Sequence, residues 1–380
     1  VNPIEIFPEI TKRHYSKEEL LAYAEIWNKA KRKMVIVGVA QPNAVEQKFL
    51  EKLAKDDSVI VFTETTSNLH HEEFFTRIDT MIGPIEKDEN MQELFEALRP
   101  DILLTFGGMI VSKKIKAFLR NYNPKHHWHI DSKKAYNTFF CLNKHFETSV
   151  NDFFLEFFPL TTKIDSDYGE FWKNIRQKRQ IRHDAYMDEI PYSDLKAMQL
   201  LVSKVPDNYI MQLANSSTIR YAQLFKWPPS LRIFCNRGTS GIDGSISTAA
   251  GSAMASNEPV LMVTGDLSFF YDSNALWNKY LPSNFRIIIL NNSGGGIFRI
   301  LPGNKNSENF ESFFETVHDL KAEQLAKMYN FGYKAASSET EISESLNTFF
   351  DASGRPKILE IFTPRKVNDK VLLEYFSYMK

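Results

Sequence analysis

The stretch Val260-Leu261-Met262-Val263-Thr264 is an unbroken apolar run that is followed directly by Gly265 and Asp266. A short apolar run that ends at a glycine indicates a strand buried in a parallel sheet. Similar runs lie at Ile233–Cys235, Phe285–Leu290 and Lys357–Phe362, and the small residues of Ser247–Met254 are typical of a closely packed helix. Because these strands alternate with helical segments, the second half of the chain is predicted to form parallel βαβ units.

The first half of the chain shows the same alternation. Its predicted strands are Met34–Val39, Val59–Phe62, Ile102–Phe106 and Trp128–Ile130, and its predicted helices include Ala44–Ala54 and Met91–Leu98. We therefore predict an α/β fold of two doubly wound parallel-sheet domains. A central domain is expected at residues 1–165, a linker at 166–190, and a ligand-binding domain at 191–380.

The linker contains a basic stretch that runs from Lys173 to Arg182. We interpret this stretch as the solvated face of a linker helix, which is the usual role of such a run of charges. An anion-binding site at the same place is the alternative interpretation.

The composition is that of an ordinary globular protein and argues against several classes. Of the 380 residues, 43% are apolar and 24% are charged, and a net charge of -1 does not suit a general nucleic-acid binder. No apolar run approaches the ~20 residues of a membrane span. Only two cysteines occur, Cys141 and Cys235, which favours a cytoplasmic location. Since the chain starts at Val1 rather than Met, we expect a processed chain or a fragment.

Two polar motifs directly follow predicted strands. Gly265-Asp266-Leu267-Ser268 follows the run quoted first, and Asn291-Asn292-Ser293-Gly294 follows Phe285–Leu290. Both motifs are therefore expected at the carboxyl ends of parallel strands, where open α/β sheets bind ligands. The carboxylate of Asp266, the amide oxygen of Asn292 and the carbonyl of Gly294 predict a Mg²⁺ (or Mn²⁺) site that diphosphate oxygens and water complete. A helix that begins near Ser268 is expected to direct its free N–H groups to the same diphosphate.

A glycine-rich segment, Asn236–Gly244, follows the predicted strand Ile233–Cys235 and lets the backbone approach a ligand closely. Together with Gly265-Asp266 and Asn291-Asn292, it resembles the cofactor site of thiamine-diphosphate (ThDP) enzymes, whose motif begins Gly-Asp and ends Asn-Asn. The resemblance implies that Ile242 supports the bent form of the cofactor and that the Ser240 carbonyl accepts a hydrogen bond from its 4'-amino group. The other residues that it assigns to the cofactor are Gly241, Gly265, Leu267, Ser268 and Asn292.

Three segments resemble one ThDP family in particular, the SEPHCHC synthases (2-succinyl-5-enolpyruvyl-6-hydroxy-3-cyclohexene-1-carboxylate synthases) of menaquinone biosynthesis. They are Asn215–Arg220, Asn236–Gly244 and Ile297–Pro302. The resemblance implies a transferase that decarboxylates 2-oxoglutarate and adds the remaining four-carbon unit to isochorismate.

Both of these substrates are dicarboxylates, so the site needs fixed cations. Arg220 and Arg237, helped by Ser216, are expected to bind the substrate carboxylates, because a guanidinium donates two charge-assisted hydrogen bonds. Ile297, Phe298 and Leu301 are expected to form an apolar wall that keeps water from the reacting carbon.

The resemblance is weaker over the first half of the chain. Phe106-Gly107-Gly108 and Ser112-Lys113-Lys114 resemble a Gly-rich turn and a basic pair of the family, in which the second basic residue is often Arg. In this family the glutamate that activates the cofactor lies in an N-terminal domain, usually that of a partner subunit, which implies a homodimer or homotetramer. No match to that domain is visible here, and we interpret Glu64 as structural. We therefore expect a fragment that is catalytically silent alone.

Two other functions stay open at this point. Another ThDP-dependent 2-oxo-acid decarboxylase or carboligase is expected to carry fewer cationic residues at the positions of Arg220 and Arg237. Alternatively, Asp266 and Asn292 belong to a non-catalytic module that only binds a diphosphate ligand. An upstream segment with a strand-end glutamate would favour the enzyme.

Overall fold

The structure, a computed structural model, describes residues 13–301, 303 and 305–380. The chain divides into two compact units after Gln177, and this division falls within one long helix, Tyr168–Glu189. Each unit contains one sheet whose strands all run parallel, with helices on both faces. The predicted fold class, two doubly wound α/β domains, is confirmed.

The first unit is built on a five-stranded sheet with the strand order β2-β1-β3-β4-β5. Its strands are β1 (Lys33–Val37), β2 (Val59–Thr63), β3 (Ile102–Phe106), β4 (His126–Ile130) and β5 (Leu142–Phe146). Its helices are α1 (Lys17–Lys29), α2 (Gln47–Ala54), α3 (Ile78–Ile85), α4 (Met91–Leu98), α5 (Lys113–Asn121), α6 (Val150–Phe157) and the start of α7 (Tyr168–Glu189).

The inner strands β1 and β3 of the first sheet are fully buried and mostly apolar, as expected for strands that are covered on both faces. In β1, Val35 and Val37 join the core cluster that α1, α2 and α6 cover, whereas Met34 and Ile36 join the cluster under α3, α4 and α5. This division follows from the two-residue period of a strand, which turns successive side chains to opposite faces.

The second unit is built on a six-stranded sheet with the strand order β10-β11-β9-β8-β6-β7. Its strands are β6 (Ile210–Leu213), β7 (Arg232–Cys235), β8 (Val260–Gly265), β9 (Arg286–Asn291), β10 (Gly332–Ala336) and β11 (Lys357–Phe362). Its helices are α8 (Asp194–Val202), α9 (Ser217–Ala222), α10 (Ser245–Ala255), α11 (Asp266–Asp272), α12 (Ile297–Ile300), α13 (Glu323–Met328), α14 (Glu339–Phe349) and α15 (Asn368–Tyr378).

The strand order of the second sheet creates a crevice at its carboxyl edge. The chain adds β7 on one side of β6 and then crosses over to add β8 and β9 on the other side. Connections that leave β6 and β8 in opposite directions open a crevice between these strands, which is the usual ligand site of an open α/β sheet. In addition, Gly265 of β8 pairs with Leu290 of β9, so the segments that follow these two strands emerge side by side.

The basic stretch predicted to be a solvated linker face lies on α7 and is only partly solvated. Arg179 is buried and donates to the carbonyls of Met379 and Lys380, the latter at 2.6 Å. Arg176 donates to the carbonyl of Glu72 at 3.2 Å and stacks over the ring of Phe75. Arg176 therefore fastens α7 to backbone of the first unit, and Arg179 fastens it to backbone of the second unit.

Across the residues that the structure describes, none of the helices has both the length and the apolar character needed to cross a membrane.

Candidate functional site

Asp266 joins the two polar motifs of the second unit. It is buried, and its Oδ1 accepts a hydrogen bond from the backbone N–H of Leu267 at 2.7 Å. Its Oδ2 accepts from the backbone N–H of Gly294 at 2.9 Å, which ties the end of β8 to the loop after β9. The helix α11 begins at Asp266 rather than near Ser268, the predicted start, so Asp266 lies in its first turn.

Asn292 presents an unsatisfied oxygen at the same place. The residue is 7% exposed, and its Nδ2 donates to Asp194 Oδ2 at 2.7 Å. Its Oδ1 is buried and has no hydrogen-bond partner among the residues described. A buried amide oxygen without a partner costs roughly 1–3 kcal/mol, so this atom is suited to an external ligand.

Gly294 occupies a conformation that only glycine adopts readily. Its φ is 148°, and a Cβ added there would lie 2.8 Å from the carbonyl oxygen of Glu315. The Gly294 carbonyl accepts from the N–H of Gly296 at 3.0 Å, which leaves its second lone pair for another partner. The three predicted metal ligands thus come from adjacent strand ends, and the N–H of Gly294 contacts the Asp266 carboxylate directly.

These ligands form a set of hard oxygen donors. Among the described residues, no group of three or more His, Cys, Asp or Glu side chains could hold a metal ion. One carboxylate, one amide oxygen and one carbonyl nevertheless suit Mg²⁺, which keeps few protein ligands and shares its shell with phosphate oxygens. The unpartnered Oδ1 of Asn292 is the observation that fits such an ion.

Asp194 is a buried carboxylate behind Asn292 that the sequence analysis missed. Besides the amide of Asn292, it accepts a hydrogen bond from Thr363 Oγ1 at 2.5 Å, and its own N–H donates to Asn368 Oδ1 at 2.8 Å. Burial raises the pKa of Asp194 to about 6, and the nearby charge of Asp266 adds to this effect. Asp194 begins α8, and no local pattern reveals that tertiary packing brings it to Asn292.

A strap of residues 315–320 fastens the loop that contains Gly294. The carbonyl of Glu315 accepts from the N–H of Gly295 at 2.5 Å, the N–H of His318 donates to the carbonyl of Ser293 at 3.3 Å, and Asn291 Nδ2 donates to the carbonyl of Leu320 at 3.0 Å.

His318 points from this strap to Asp266. Its Nδ1 accepts from the N–H of Leu320 at 3.1 Å, so the proton of the neutral ring lies on Nε2. Nε2 lies 3.3 Å from Asp266 Oδ2, although the two groups are not aligned as a hydrogen bond. Neither His318 nor Glu315 was expected from the sequence.

The glycine-rich loop after β7 is organised by Asn215, which the sequence analysis named only as part of a segment. Asn215 Nδ2 donates to the carbonyls of Asn236 at 2.6 Å and Gly241 at 2.7 Å. The hydroxyl of Ser268 donates to the carbonyl of Ile242 at 2.6 Å. Gly241, Ile242 and Ser268 are therefore brought together near the start of α11, and Ile242 is half-buried.

Ser240 lies in the same loop and has a left-handed backbone, with φ 69°. Its N–H donates to the carbonyl of Arg237. A non-glycine residue in this region costs on the order of 1–3 kcal/mol and persists only where the surrounding structure imposes it.

Both predicted substrate arginines lie at the carboxyl edge of the second sheet. Arg237 follows β7, and its Nη1 donates to Asn215 Oδ1 at 2.6 Å, whereas its Nε is buried without a partner among the described residues. Arg220 lies on α9, and its Nη1 donates to the carbonyl of Ser216 at 2.6 Å. Ser216 itself has φ 68°, so it shares the left-handed backbone of Ser240.

The predicted apolar wall begins with α12. Ile297 is buried, Leu301 is half-buried, and Phe298 is 39% exposed with its ring 6.1 Å from that of Phe314. Pro302, which belongs to the same motif, lies outside the described residues. Phe298 thus belongs both to this wall and to an exposed aromatic pair with Phe314.

Glu64 lies in the first unit, where its contacts are structural. Its carboxylate is buried and accepts hydrogen bonds from the N–H groups of Val111 and Ser112, both at 2.6 Å. Burial raises the pKa of Glu64 to about 7, although these two N–H donors oppose the shift. Lys114, at the start of α5, pairs with Glu86.

Comparison with known proteins identifies both units. Residues 10–182 match the family described as "Middle domain of thiamine pyrophosphate", and residues 215–361 match "Thiamine pyrophosphate enzyme, C-terminal TPP binding domain". Thiamine pyrophosphate is a synonym of thiamine diphosphate. The resemblance to ThDP enzymes stated from the sequence is confirmed.

Three similar curated relatives carry the same name. The chain is 73% identical over 380 residues to 2-succinyl-5-enolpyruvyl-6-hydroxy-3-cyclohexene-1-carboxylate synthase of Christiangramia forsetii, and the match covers 100% of this chain and 66% of the relative. It is 51% identical over 360 residues to the synthase of Flavobacterium psychrophilum, with 95% and 64% covered. It is 47% identical over 383 residues to that of Flavobacterium johnsoniae, with 99% and 68% covered. The chain thus spans about two thirds of the length of these relatives, and it belongs to the family of 2-succinyl-5-enolpyruvyl-6-hydroxy-3-cyclohexene-1-carboxylate (SEPHCHC) synthases.

Proposed function

We propose that the protein to which these two units belong is a ThDP- and Mg²⁺-dependent transferase of menaquinone biosynthesis. It decarboxylates 2-oxoglutarate and adds the four-carbon unit to isochorismate, which yields SEPHCHC. The names of the relatives and the match to a C-terminal TPP-binding domain support this proposal. The observation that carries it is the buried, unpartnered Oδ1 of Asn292 in the loop that Asp266 holds.

The metal site in this proposal consists of Asp266, Asn292 and Gly294. A cation held by these residues would neutralise the diphosphate end of the cofactor, because Mg²⁺ bridges protein carboxylates and phosphate oxygens. Mn²⁺ prefers similar oxygen ligands and would serve in its place. Gly265, Leu267 and Ser268 flank Asp266 and would line the diphosphate, while Ser240, Gly241 and Ile242 would contact the rings.

When bound, ThDP supplies the nucleophile that attacks the 2-oxo carbon and the electron sink that accepts the charge when CO₂ leaves. The side chains of this chain bind and orient the substrates. The Nη1 of Arg237 is held by the neutral oxygen of Asn215, so its positive charge can still attract a substrate carboxylate. Arg220 and Ser216 lie at the neighbouring strand end and would bind a second carboxylate.

The apolar wall has a separate role in the proposed reaction. Ile297, Phe298 and Leu301 would exclude water from the reacting carbon, so that the four-carbon unit adds to isochorismate rather than gaining a proton. Because Phe298 is partly exposed, the wall would be completed by a neighbouring group.

Oligomeric state, location and the activity of the isolated chain are further parts of the proposal. A homodimer or homotetramer is supported by large exposed apolar residues of the second unit, which include Tyr271, Trp277, Tyr280, Phe313 and Phe314. A cytoplasmic location is supported by the two free thiols of Cys141 and Cys235. We also propose that the 380 residues alone are catalytically silent, because about a third of the relatives' length lies outside the matched region. In this proposal, none of the described residues of the second unit activates the cofactor.

Calorimetry of ThDP binding in Mg²⁺ tests the cofactor site, and it uses a longer version that also carries the third of the relatives' length that lies outside the matched region. The change Asp266→Ala should abolish Mg²⁺-dependent binding, whereas Asp351→Ala, which removes an exposed carboxylate of the same unit, should leave it unchanged. Equal affinity of the Asp266→Ala variant and the unmodified chain would overturn the assignment.

An assay of SEPHCHC formation from 2-oxoglutarate and isochorismate tests the reaction. A version that carries the additional third of the relatives' length should form product, and the 380-residue chain should not. Decarboxylation without addition by the longer version would favour a generic decarboxylase, and ThDP binding without any turnover would favour a non-catalytic module. Turnover by the 380-residue chain would show that the activating group lies within it, and Glu64 would be the first residue to test.

A further inference from the structure

We propose that Asp194 is a positioning residue that fixes the amide of Asn292 so that its oxygen, not its nitrogen, faces the metal site. This inference rests on the proposed function, because it concerns the metal that the site would hold. Asp194 neither contacts the metal position in the proposal nor belongs to a motif recognised in the sequence.

The side chain of Asn292 has two ends with opposite hydrogen-bonding character. An amide has a donor end and an acceptor end of nearly the same size, so sterics alone cannot decide which end faces a ligand. A cation requires the oxygen, since the amide nitrogen carries two protons and has no available lone pair. Some neighbouring group must therefore select the orientation.

Asp194 selects which end of the Asn292 amide faces the metal site. An ionised carboxylate only accepts hydrogen bonds, so the Asn292 group that faces Asp194 Oδ2 at 2.7 Å must be the NH₂. The opposite orientation would place two acceptor oxygens against each other in a buried site, because Asp194 is 2% exposed. Oδ1 of Asn292 is consequently directed away from Asp194 and has no partner among the residues that the structure describes.

Asp194 is itself held in place by its neighbours. Thr363, which directly follows β11, donates to Asp194 Oδ1 at 2.5 Å, and the amide of Asn292 donates to the other oxygen, Oδ2. The backbone N–H of Asp194 donates to Asn368, the first residue of α15, at 2.8 Å. The orientation of Asn292 is therefore transmitted from α8, β11 and α15 to the loop after β9.

The expected loss of metal affinity can be taken from other proteins in which a residue that orients a metal ligand is removed. Removing a residue that orients a ligand typically weakens metal affinity 10–100-fold. In Asp194→Leu the acceptor is lost, and the amide can turn either end to the metal. We expect the affinity for Mn²⁺, measured by calorimetry in the presence of ThDP, to fall by about that factor.

Two variants separate positioning from general damage. Asp194→Asn keeps one acceptor oxygen for the Asn292 amide while its NH₂ can donate to the Thr363 hydroxyl, so it should retain Mn²⁺ affinity within about threefold of the unmodified chain. Adding Asn292→Asp to Asp194→Leu should restore most of the affinity, because both ends of a carboxylate are oxygens and no orientation has to be chosen.

Asp272→Leu is the matched control for damage to the fold. Asp272 is another buried aspartate of the second unit, and it accepts from the N–H and the hydroxyl of Ser247 at 2.7 and 2.5 Å rather than from Asn292. This variant should lose thermal stability and yet retain Mn²⁺ affinity within about threefold.

The outcomes distinguish the positioning role from the metal site itself. Asp194→Leu with the affinity of the unmodified chain overturns the positioning role alone. The same role is overturned if Asp272→Leu loses affinity equally and Asn292→Asp restores nothing, because the loss would then reflect folding. All of these measurements use the version that carries the additional third of the relatives' length. If that version, unmodified, takes up no Mn²⁺ with ThDP, the proposed function is overturned instead.

Discussion

The buried charge of Glu315 is predicted to anchor the strap of residues 315–320, which contacts the loop that contains Gly294. Its side chain is 0% exposed and accepts from Arg299 Nε at 2.6 Å and from Arg365 Nη1 at 3.1 Å. The change Glu315→Gln removes the charge and leaves two guanidinium groups without their common partner. Breaking a buried pair on one side costs about 3–5 kcal/mol.

The loss of stability that we expect for Glu315→Gln lies below that range. Arg299 is 16% exposed, so water and the nearby Glu311 can partly replace Glu315 after the substitution. We therefore expect a loss of about 2–3 kcal/mol in the free energy of unfolding of the second unit. For a domain of roughly 200 residues this lowers Tm by about 4–12 °C.

Thermal unfolding followed by circular dichroism checks this prediction. Glu311→Gln is the matched control, because Glu311 contacts the same arginines at 3.2 and 3.4 Å but is 53% exposed. It should leave Tm nearly unchanged, since exposed pairs contribute little. Equal shifts for the two variants, or a Glu315→Gln protein with the original Tm, would refute the assignment of a buried ionic anchor.

Three further predictions concern substrate binding, pH dependence and the metal loop. Arg237→Ala should lower kcat/KM for 2-oxoglutarate at least about tenfold while ThDP affinity measured by calorimetry stays the same, since a charge-assisted hydrogen bond contributes on the order of 1.5–3 kcal/mol. Burial raises the pKa of Glu64 from 4.5 to about 7, so its contribution to stability is fully present below pH ~4.5 and is lost as the pH rises through about 7. Urea unfolding across this range should show a fall of roughly 3 kcal/mol that Glu64→Gln removes, and an unchanged pH profile in that variant would contradict the assignment. Gly294→Ala should lower Tm and weaken Mn²⁺ binding because its Cβ meets a backbone oxygen at 2.8 Å, whereas Gly251→Ala, with open space around the new Cβ inside α10, should stabilise by about 0.5–1 kcal/mol.

The fold was predictable where a strand contains a clear run of apolar residues. β3 and β11 have the predicted bounds, because strands covered on both faces are mostly apolar. The strands β5, β6 and β10 were missed. β5 and β10 lie at the edges of their sheets and carry polar residues such as Asn143 and Lys334. β6 is a central strand, but it has only four residues and one of them is Gln212. An edge strand is identified by its pairing with a neighbour, which the local pattern does not contain.

The candidate site was predictable where its residues directly follow apolar strands. Asp266 and Asn292 directly follow apolar strands, so the pattern that predicts the strands also places these side chains at one edge. Asp194 begins a helix after Ser193, and that position alone explains an aspartate in the first turn. Its contact with Asn292 spans 98 residues of chain, and it exists only because α8, β11 and α15 pack behind the loop after β9. A motif read along the sequence therefore identifies the atoms of the proposed metal site, whereas the groups that orient those atoms are recognised only from tertiary contacts.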